Sequence, residues 1–410
     1  MRTKCVWGAG VLAALAALIA LTPGRGFAQG GAATAFAPGL AGDYSPPDRP
    51  LPYPLFSTRP DVGGLFLAGS YVMYQQSNPL KSQEVAVRGF YASDDTVLQA
   101  AGSAGTFVGT RNNALDVNQV TGPLSYQPGF KVEAGWKFED GAALTVDFMW
   151  LSEAQYTAVA TLAAPNQQVR SDFADSFLTA NVFNYPSDFA GPTQKVLQGG
   201  PNGVFGIWNG ATAMTLLFLQ RAQQLQATYR KPFYETECYR ASALVGPRYF
   251  WIEEKFRWTT TDVDILGNSS PIFVGIYNNQ VDNRMYGAHT GLQQEWYVGR
   301  GFALMLTTEA AMFMDIVKER VDYERGDRGG PQNKRGRTQW RAVPELQVTP
   351  SVMYYPLEGI QLQAGWDFFC FFNTISSPRP VDFNYSALTP GYESTFRYFS
   401  GFQASMAIVF

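Results

Sequence analysis

The sequence predicts an all-β chain: a transmembrane antiparallel up-and-down β-barrel of about ten strands, with short turns at one end and long loops at the other. Three observations predict it. The last sixteen residues alternate apolar and small or polar side chains. The links between alternating segments are short and long by turns, and the tryptophans fall at two heights on the apolar rows.

Residues Thr395 to Phe410 form the clearest strand. Counting back from Phe410, one row is Ile408, Met406, Ala404, Phe402, Ser400, Tyr398 and Phe396, and the other is Val409, Ala407, Ser405, Gln403, Gly401, Phe399 and Arg397. Side chains on a strand point alternately to its two faces, so this is one amphipathic strand. A soluble sheet would alternate in the same way, so the links and the tryptophans decide which row meets lipid.

The 410 residues are long enough for one large β domain. Aromatic residues make up 15%, charged residues 16%, and 40 residues are Gly. The net charge of -3 offers no basic field for nucleic acid. Val11 to Leu21 is the continuous apolar run, about half of the ~20 residues a spanning helix needs. It follows Arg2 and Lys4 and precedes Gly26-Phe27-Ala28, so residues 1–28 read as a secretory signal peptide. Cys238 and Cys370 remain after cleavage, and their strands and faces predict no bond between them. Residues 29–61, rich in Pro and Gly, read as an extended periplasmic segment, and 62–410 as the barrel.

Strand one is expected over Val62 to Gln75. Strand two, Pro128 to Glu139, sets Phe130, Val132, Ala134, Trp136 and Phe138 against Lys131, Glu133, Gly135 and Lys137. Asp140-Gly141 supplies a tight turn into strand three, with Leu144, Val146, Phe148 and Trp150 opposite Thr145 and Asp147. Strand four ends near Tyr229. Strand five sets Tyr239, Ala241, Ala243, Val245, Tyr249 and Trp251 against Arg240, Ser242, Arg248 and Glu254. Strands six and seven run from Met285 to Val298 and from Phe302 to about Arg320. Strand eight carries Trp340 to Val352, strand nine Ile360 to Phe368, and the closing strand is the tenth. A further hairpin within 77 to 127 would raise the number to twelve.

Links near 140, 233, 300 and 357 are short, whereas those over 77–127, 159–213, 260–283, 321–337 and 375–394 are long. Tight periplasmic turns and long external loops sort links in this way. Six tryptophans (Trp136, Trp150, Trp251, Trp296, Trp340 and Trp366) lie on the apolar row. Trp136 and Trp296 sit beside short turns, and Trp150, Trp251 and Trp340 lie toward the long-loop end. That offset fits the ~9 to 11 residues of a bilayer crossing, so they read as two lipid-interface girdles. An open edge in lipid would leave backbone groups unpaired, so the sheet must close.

The signal peptide, the strand Gly246-Pro247-Arg248-Tyr249-Phe250-Trp251, the loop Phe183-Asn184-Tyr185-Pro186-Ser187-Asp188 and the terminal Phe410 resemble the β-barrel porin-7 family and related pore-forming outer-membrane proteins of Gram-negative bacteria. Phe402, Ile408 and Phe410 are the closing-strand signature. The resemblance supports a barrel, implies no catalytic residues and leaves the cargo open. The sequence as a whole reads as a narrow porin-like channel or structural envelope protein with no cofactor, and its expected partners are outer-membrane lipid and lipopolysaccharide, the barrel-assembly machinery through the C-terminal strand, and small solutes or ions.

The polar rows predict lumen-lining residues: Lys131, Arg240, Arg248, Arg341 and Arg397 against Glu133, Asp147, Glu295, Glu309, Glu345 and Asp367, with His289. Opposite signs in near balance predict paired charges in a constricted or plugged interior. A hydrolase would need a nucleophile and an orienting carboxylate beside His289, and a mid-strand position argues against that. Asp262 to Asn268 resembles the start of a calcium loop but has Leu266 where an oxygen ligand belongs. Arg325, Arg328, Lys334, Arg335 and Arg337 suit a solvated hairpin tip or contacts with lipopolysaccharide phosphates. The aromatics of 159–213 predict a loop folded into the mouth or over the rim, as a gate, a ligand contact or simple self-packing. An adhesin working through long loops is the remaining alternative.

Overall fold

The computed structural model describes residues 64–91, 107–120, 125–138, 142–161, 174–186, 189, 193–194, 204–205, 207–236, 239–262, 268–299, 301–329, 332–357 and 360–409. The expected signal peptide, the Pro/Gly-rich segment, Cys238, most of the Asp262 loop and Phe410 lie outside them. Among the described residues, no helix is long and apolar enough to cross a membrane, which says nothing about crossing with strands.

β1 (Gly64–Gln76) opens the sheet. Four short strands follow: β2 (Glu84–Arg88), β3 (Phe90–Tyr91), β4 (Phe107–Val108) and β5 (Asn113–Asp116). β6 (Gln127–Lys137) and β7 (Ala143–Leu151) make a hairpin, and β8 (Ala154–Thr161) resumes after Ser152 and Glu153. The next link holds β9 (Leu178–Thr179), β10 (Thr193–Gln194), β11 (Val204–Phe205) and β12 (Asn209–Ala211). Long strands complete the chain: β13 (Ala213–Thr236), β14 (Tyr239–Thr261), β15 (Val274–Gly299), β16 (Phe302–Arg325), β17 (Asn333–Leu357), β18 (Ile360–Arg379) and β19 (Gly391–Val409).

The main sheet has eleven strands, each antiparallel to its neighbours. β7 pairs with the lower half of β13 and β8 with its upper half, so the two act as one kinked stave. β1 pairs with β6 on one edge and with β19 on the other, from Phe66↔Val409 to Gln76↔Phe399. First and last strands therefore zip the sheet into a ring of ten staves. Among the described residues, the segment after β1 adds none: β2 and β5 join β9 and β12 in a separate four-stranded sheet, and β3 pairs with β4. The alternative of a further barrel hairpin over 77 to 127 has no counterpart in the main sheet among the described residues.

Parity sorts the two faces. In β7, Ala143, Thr145, Asp147, Met149 and Leu151 are buried inside, and Leu144, Val146, Phe148 and Trp150 are exposed outside. On β16 the outward row is apolar from Phe302 to Ile316 apart from Thr308, then turns to Lys318, Arg320, Asp322 and Glu324. β15 changes at the same level, where Arg284 pairs with Ile316. The staves β13 to β17 run for 23 to 26 residues, more than twice the ~9 to 11 a crossing needs, so they continue beyond the apolar band.

Two links are shorter than expected. The ladder between β16 and β17 runs out to Tyr323↔Asn333, which confines the 321–337 loop to the residues between Arg325 and Asn333. The β14–β15 ladder reaches Thr261↔Val274, shortening the 260–283 loop. Charge on the outward row marks the end of the apolar band without ending backbone pairing, which needs no lipid.

One seam is incomplete. β17 and β18 pair from Leu357↔Ile360 up to Glu345↔Phe371; beyond that, β17 pairs only with β16, and β18 only with β19. Asn373, at φ 69°, sits at the parting. Its side-chain amide donates to the Ala342 carbonyl at 2.9 Å, a last tie across the gap. The freed top of β18 turns inward, where Asn283 donates to the Ile375 carbonyl at 3.0 Å and accepts from its N–H at 3.1 Å.

Candidate functional site

The site is the barrel interior, and the inward row of β14 shows its layers in order. From the periplasmic turn outward this row reads Arg240, Ser242, Leu244, Gly246, Arg248, Phe250, Ile252, Glu254, Phe256 and Trp258. Charge, apolar ring, charge and aromatic cap follow one another along this single stave.

Toward the short turns, above a buried cluster of Tyr297, Ala303 and Tyr355, lies a polar chamber of about 170 Å³. Its charged lining is Lys131 and Arg230 against Glu133, Asp147, Glu295, Glu309 and Asp367. Two cations face five carboxylates, a formal excess of three negative charges. Lys131 Nζ lies 3.2 Å from Asp147 Oδ1. Asp367 accepts from the Tyr74 hydroxyl and, at 2.5 Å, from the Thr349 hydroxyl. Glu295 accepts from Gln293 at 2.8 Å and from the Tyr297 hydroxyl at 3.0 Å.

The chamber's roof is a shared cation. Arg248, fully buried, donates to Glu345 Oε2 at 2.8 Å and to Glu309 Oε2. One guanidinium thus bridges two carboxylates from β16 and β17, a geometry its planar fork suits. His289 is buried beside it on β15, with Nε2 3.1 Å from the Thr228 hydroxyl oxygen.

Above lies an apolar septum that residue-by-residue reading of the charges did not anticipate. Phe250, Phe313, Phe371 and Phe399 are at most 1% exposed. The Phe250 ring centroid is 4.6 Å from that of Phe371 and 5.6 Å from that of Phe399. Phe369 lies 5.7 Å from Tyr74, and Met149, Ile252, Met285 and Val343 fill the remaining space. β14 and β19 stand five staves apart in the ring, so the Phe250–Phe399 contact spans the lumen and closes it. The only signal in the sequence was parity: these phenylalanines share the row of the charges.

A second buried pair seals the upper side. Arg397 of β19 reaches across to Glu254 of β14, with Nη2 2.8 Å from Oε2 and Nη1 donating to Oε1. The guanidinium also donates to the Thr374 hydroxyl at 3.0 Å and to the Ile375 carbonyl at 2.9 Å. Asp315 is buried at the same level.

The mouth is closed by the external links. Phe189 stacks on Trp208 at 5.6 Å and meets Tyr385 at 4.6 Å, and Trp208 meets Trp258 at 4.8 Å. Val85, Leu115, Leu178 and Leu388 join this core. Phe183, by contrast, is exposed, and Phe173 lies outside the described residues. Burial pushes the Tyr185 phenol upward. At the hairpin tip, a two-pronged bond from Arg325 holds the Asp327 carboxyl below its ordinary range.

The remaining sequence-selected residues fall as follows. Arg240 pairs with Glu235 beside the periplasmic turn, at the rim of the interior. Arg341 Nη1 is 3.4 Å from Asn373 Oδ1 at the seam, away from the chamber. Trp136, Trp150, Trp296 and Trp340 are exposed on the outward face. Trp251 and Trp366 are half-buried on that face, as is Phe402, while Ile408 is exposed. Pairings of Trp150 with Gln223, Gln223 with Trp251, Trp251 with Arg284, Arg284 with Ile316 and Ile316 with Trp340 place three tryptophans on one row of the sheet. Cys370 is a half-buried free thiol. Among the described residues, no three His, Cys, Asp or Glu side chains converge as a metal site.

No curated protein sequence matches the chain. Among solved structures, the outer membrane protease OmpT from Escherichia coli is similar at 9% identity and TM-score 0.35, covering 87% of this chain and 99% of that one. The Pseudomonas putida toluene transporter TodX is similar at 12% identity and TM-score 0.30, covering 85% and 89%. A Pseudomonas aeruginosa FadL homologue is similar at 9% identity and TM-score 0.23, covering 85% and 90%. The family model described as the Legionella pneumophila major outer membrane protein precursor matches residues 83–398. The chain is an outer-membrane β-barrel, and it belongs to that major outer membrane protein family.

Proposed function

We propose that the protein is a narrow, gated pore whose resting state is closed and whose periplasmic-side chamber favours cations. The acid-weighted chamber beneath a wholly side-chain septum carries this reading. An excess of carboxylates in a confined, poorly screened space attracts cations and repels anions. The septum is made of rings in contact, and every side chain of its buried cluster comes from a stave of the ring. A hydrophobic constriction of this kind gates by excluding water.

Planar-bilayer recording tests the proposal. Wild-type protein should give rare, small steps. Phe250→Ala and Phe399→Ala should raise the open fraction, with a reversal potential on the cation side in a KCl gradient. Silent septum variants that still show a heat-modifiable band would leave a structural envelope barrel instead. Anion-side reversal would overturn the assigned selectivity.

The outward cations just above the apolar band, Lys255, Arg257, Lys318 and Arg320, support contact with lipopolysaccharide phosphates in the outer leaflet. The double variant Lys318→Glu/Arg320→Glu should retain less lipopolysaccharide through purification; equal retention would argue against the contact.

A further inference from the structure

We infer that the periplasmic-side chamber is a binding site for a small aliphatic polyamine, an alkyl chain bearing two or more ammonium centres. This deepens the reading of the chamber as a cation path and rests on it. The carboxylates stand in two groups on opposite walls. Glu133 and Asp147 belong to the neighbouring staves β6 and β7, and Glu295 and Glu309 to β15 and β16. β13 and β14 separate the groups on one side; β17, β18, β19 and β1 separate them on the other. A point charge can sit against only one group, and no three acidic or imidazole side chains among the described residues converge on one ion. A chain with an ammonium at each end meets both, with Asp367 between them on β18.

The lining between the groups fits the rest of such a molecule. Gln224, Gln226, Gln347, Gln363 and Gln403 face the chamber. Gln347 is only 7% exposed; its amide donates to the Thr349 hydroxyl at 3.4 Å, and its Oε1 has no hydrogen-bond partner among the described residues. A buried acceptor of this kind suits an N–H donor, since an unmatched buried polar atom is costly. Met149 and Phe369, on the underside of the septum, and Leu244, Met305 and Met353 offer apolar contact for methylene groups. The chamber's volume of about 170 Å³ is many times the ~10 to 15 Å³ that admits one water on the same measure.

Isothermal titration of the full chain in detergent tests this, with spermidine and the monoamine butylamine as probes at matched ionic strength. Spermidine should bind saturably and butylamine about tenfold more weakly, the ratio expected when one charge-assisted contact is lost. Glu133→Gln and Glu295→Gln should each bring spermidine down by about the same factor, provided the heat-modifiable band shows the variant barrel folded. Absence of saturable spermidine binding, or equal binding of the two amines, overturns the site, and neither result needs a variant. Folded variants that bind like wild type overturn it too. Conductance is read separately: binding without conductance sinks the pore and keeps the site, and conductance without binding does the reverse.

Discussion

The septum and the outward girdles use the same residue class on the same staves, one side chain apart. Phe250 is fully buried inside the ring; its neighbours Tyr249 and Trp251 point outward. On β18, Phe371 is fully buried and Phe372 is 44% exposed. Backbone parity alone separates a residue that closes the lumen from one that meets lipid. The environments differ in how they respond to loss. A vacancy inside a close-packed septum stays a vacancy, whereas lipid tails, as apolar as a leucine, flow into a gap on the outside.

The sharpest way to break the contrast is Phe250→Ala. It should destabilise the barrel by about 3 to 5 kcal/mol, the range for a large aromatic removed from a core, measured by urea unfolding in lipid vesicles. A cost near that of an outward change would mean that the septum is loosely packed. Met312→Arg places a cation in the outward apolar band and should cost about 2 to 4 kcal/mol in the same assay. A neutral result would put that position outside the bilayer. Phe396→Ala, on the outward face, should cost well under the inward phenylalanine, about 1 kcal/mol, and a larger loss would erase the distinction. Smallest of all, Asp327→Asn at the exposed hairpin tip should change stability by less than ~0.5 kcal/mol, because solvent screens such pairs.

The wall was legible because its grammar is local. Alternation in residues 128–138 and 143–150 needs no knowledge of distant contacts. The outward side of the ring could be read from those rows, and the direction of Asp147, Glu254 and Arg397 follows from the same parity. What could not be read was which inward residues meet across the ring. Arg397 finds Glu254 at a separation of 143 positions, and Phe250 finds Phe399; no periodicity encodes either contact. The inward row of β14 mixes Arg248, Phe250 and Glu254, so sorting residues into apolar and charged faces hid the septum among the charges. The cap was half legible: the aromatic content around Phe177, Phe189 and Trp208 called for burial, but its partners β2, β5 and β9 are two- to five-residue strands, too short for period-two alternation to register.

The parting of β17 from β18 has a mechanical consequence. A hydrogen-bonded cylinder has a fixed girth, because widening it anywhere means breaking a ladder. Here the outer half of β17 is joined to its neighbour by a side chain, Asn373, in place of main-chain rungs, so that part can dilate while every remaining rung stays intact.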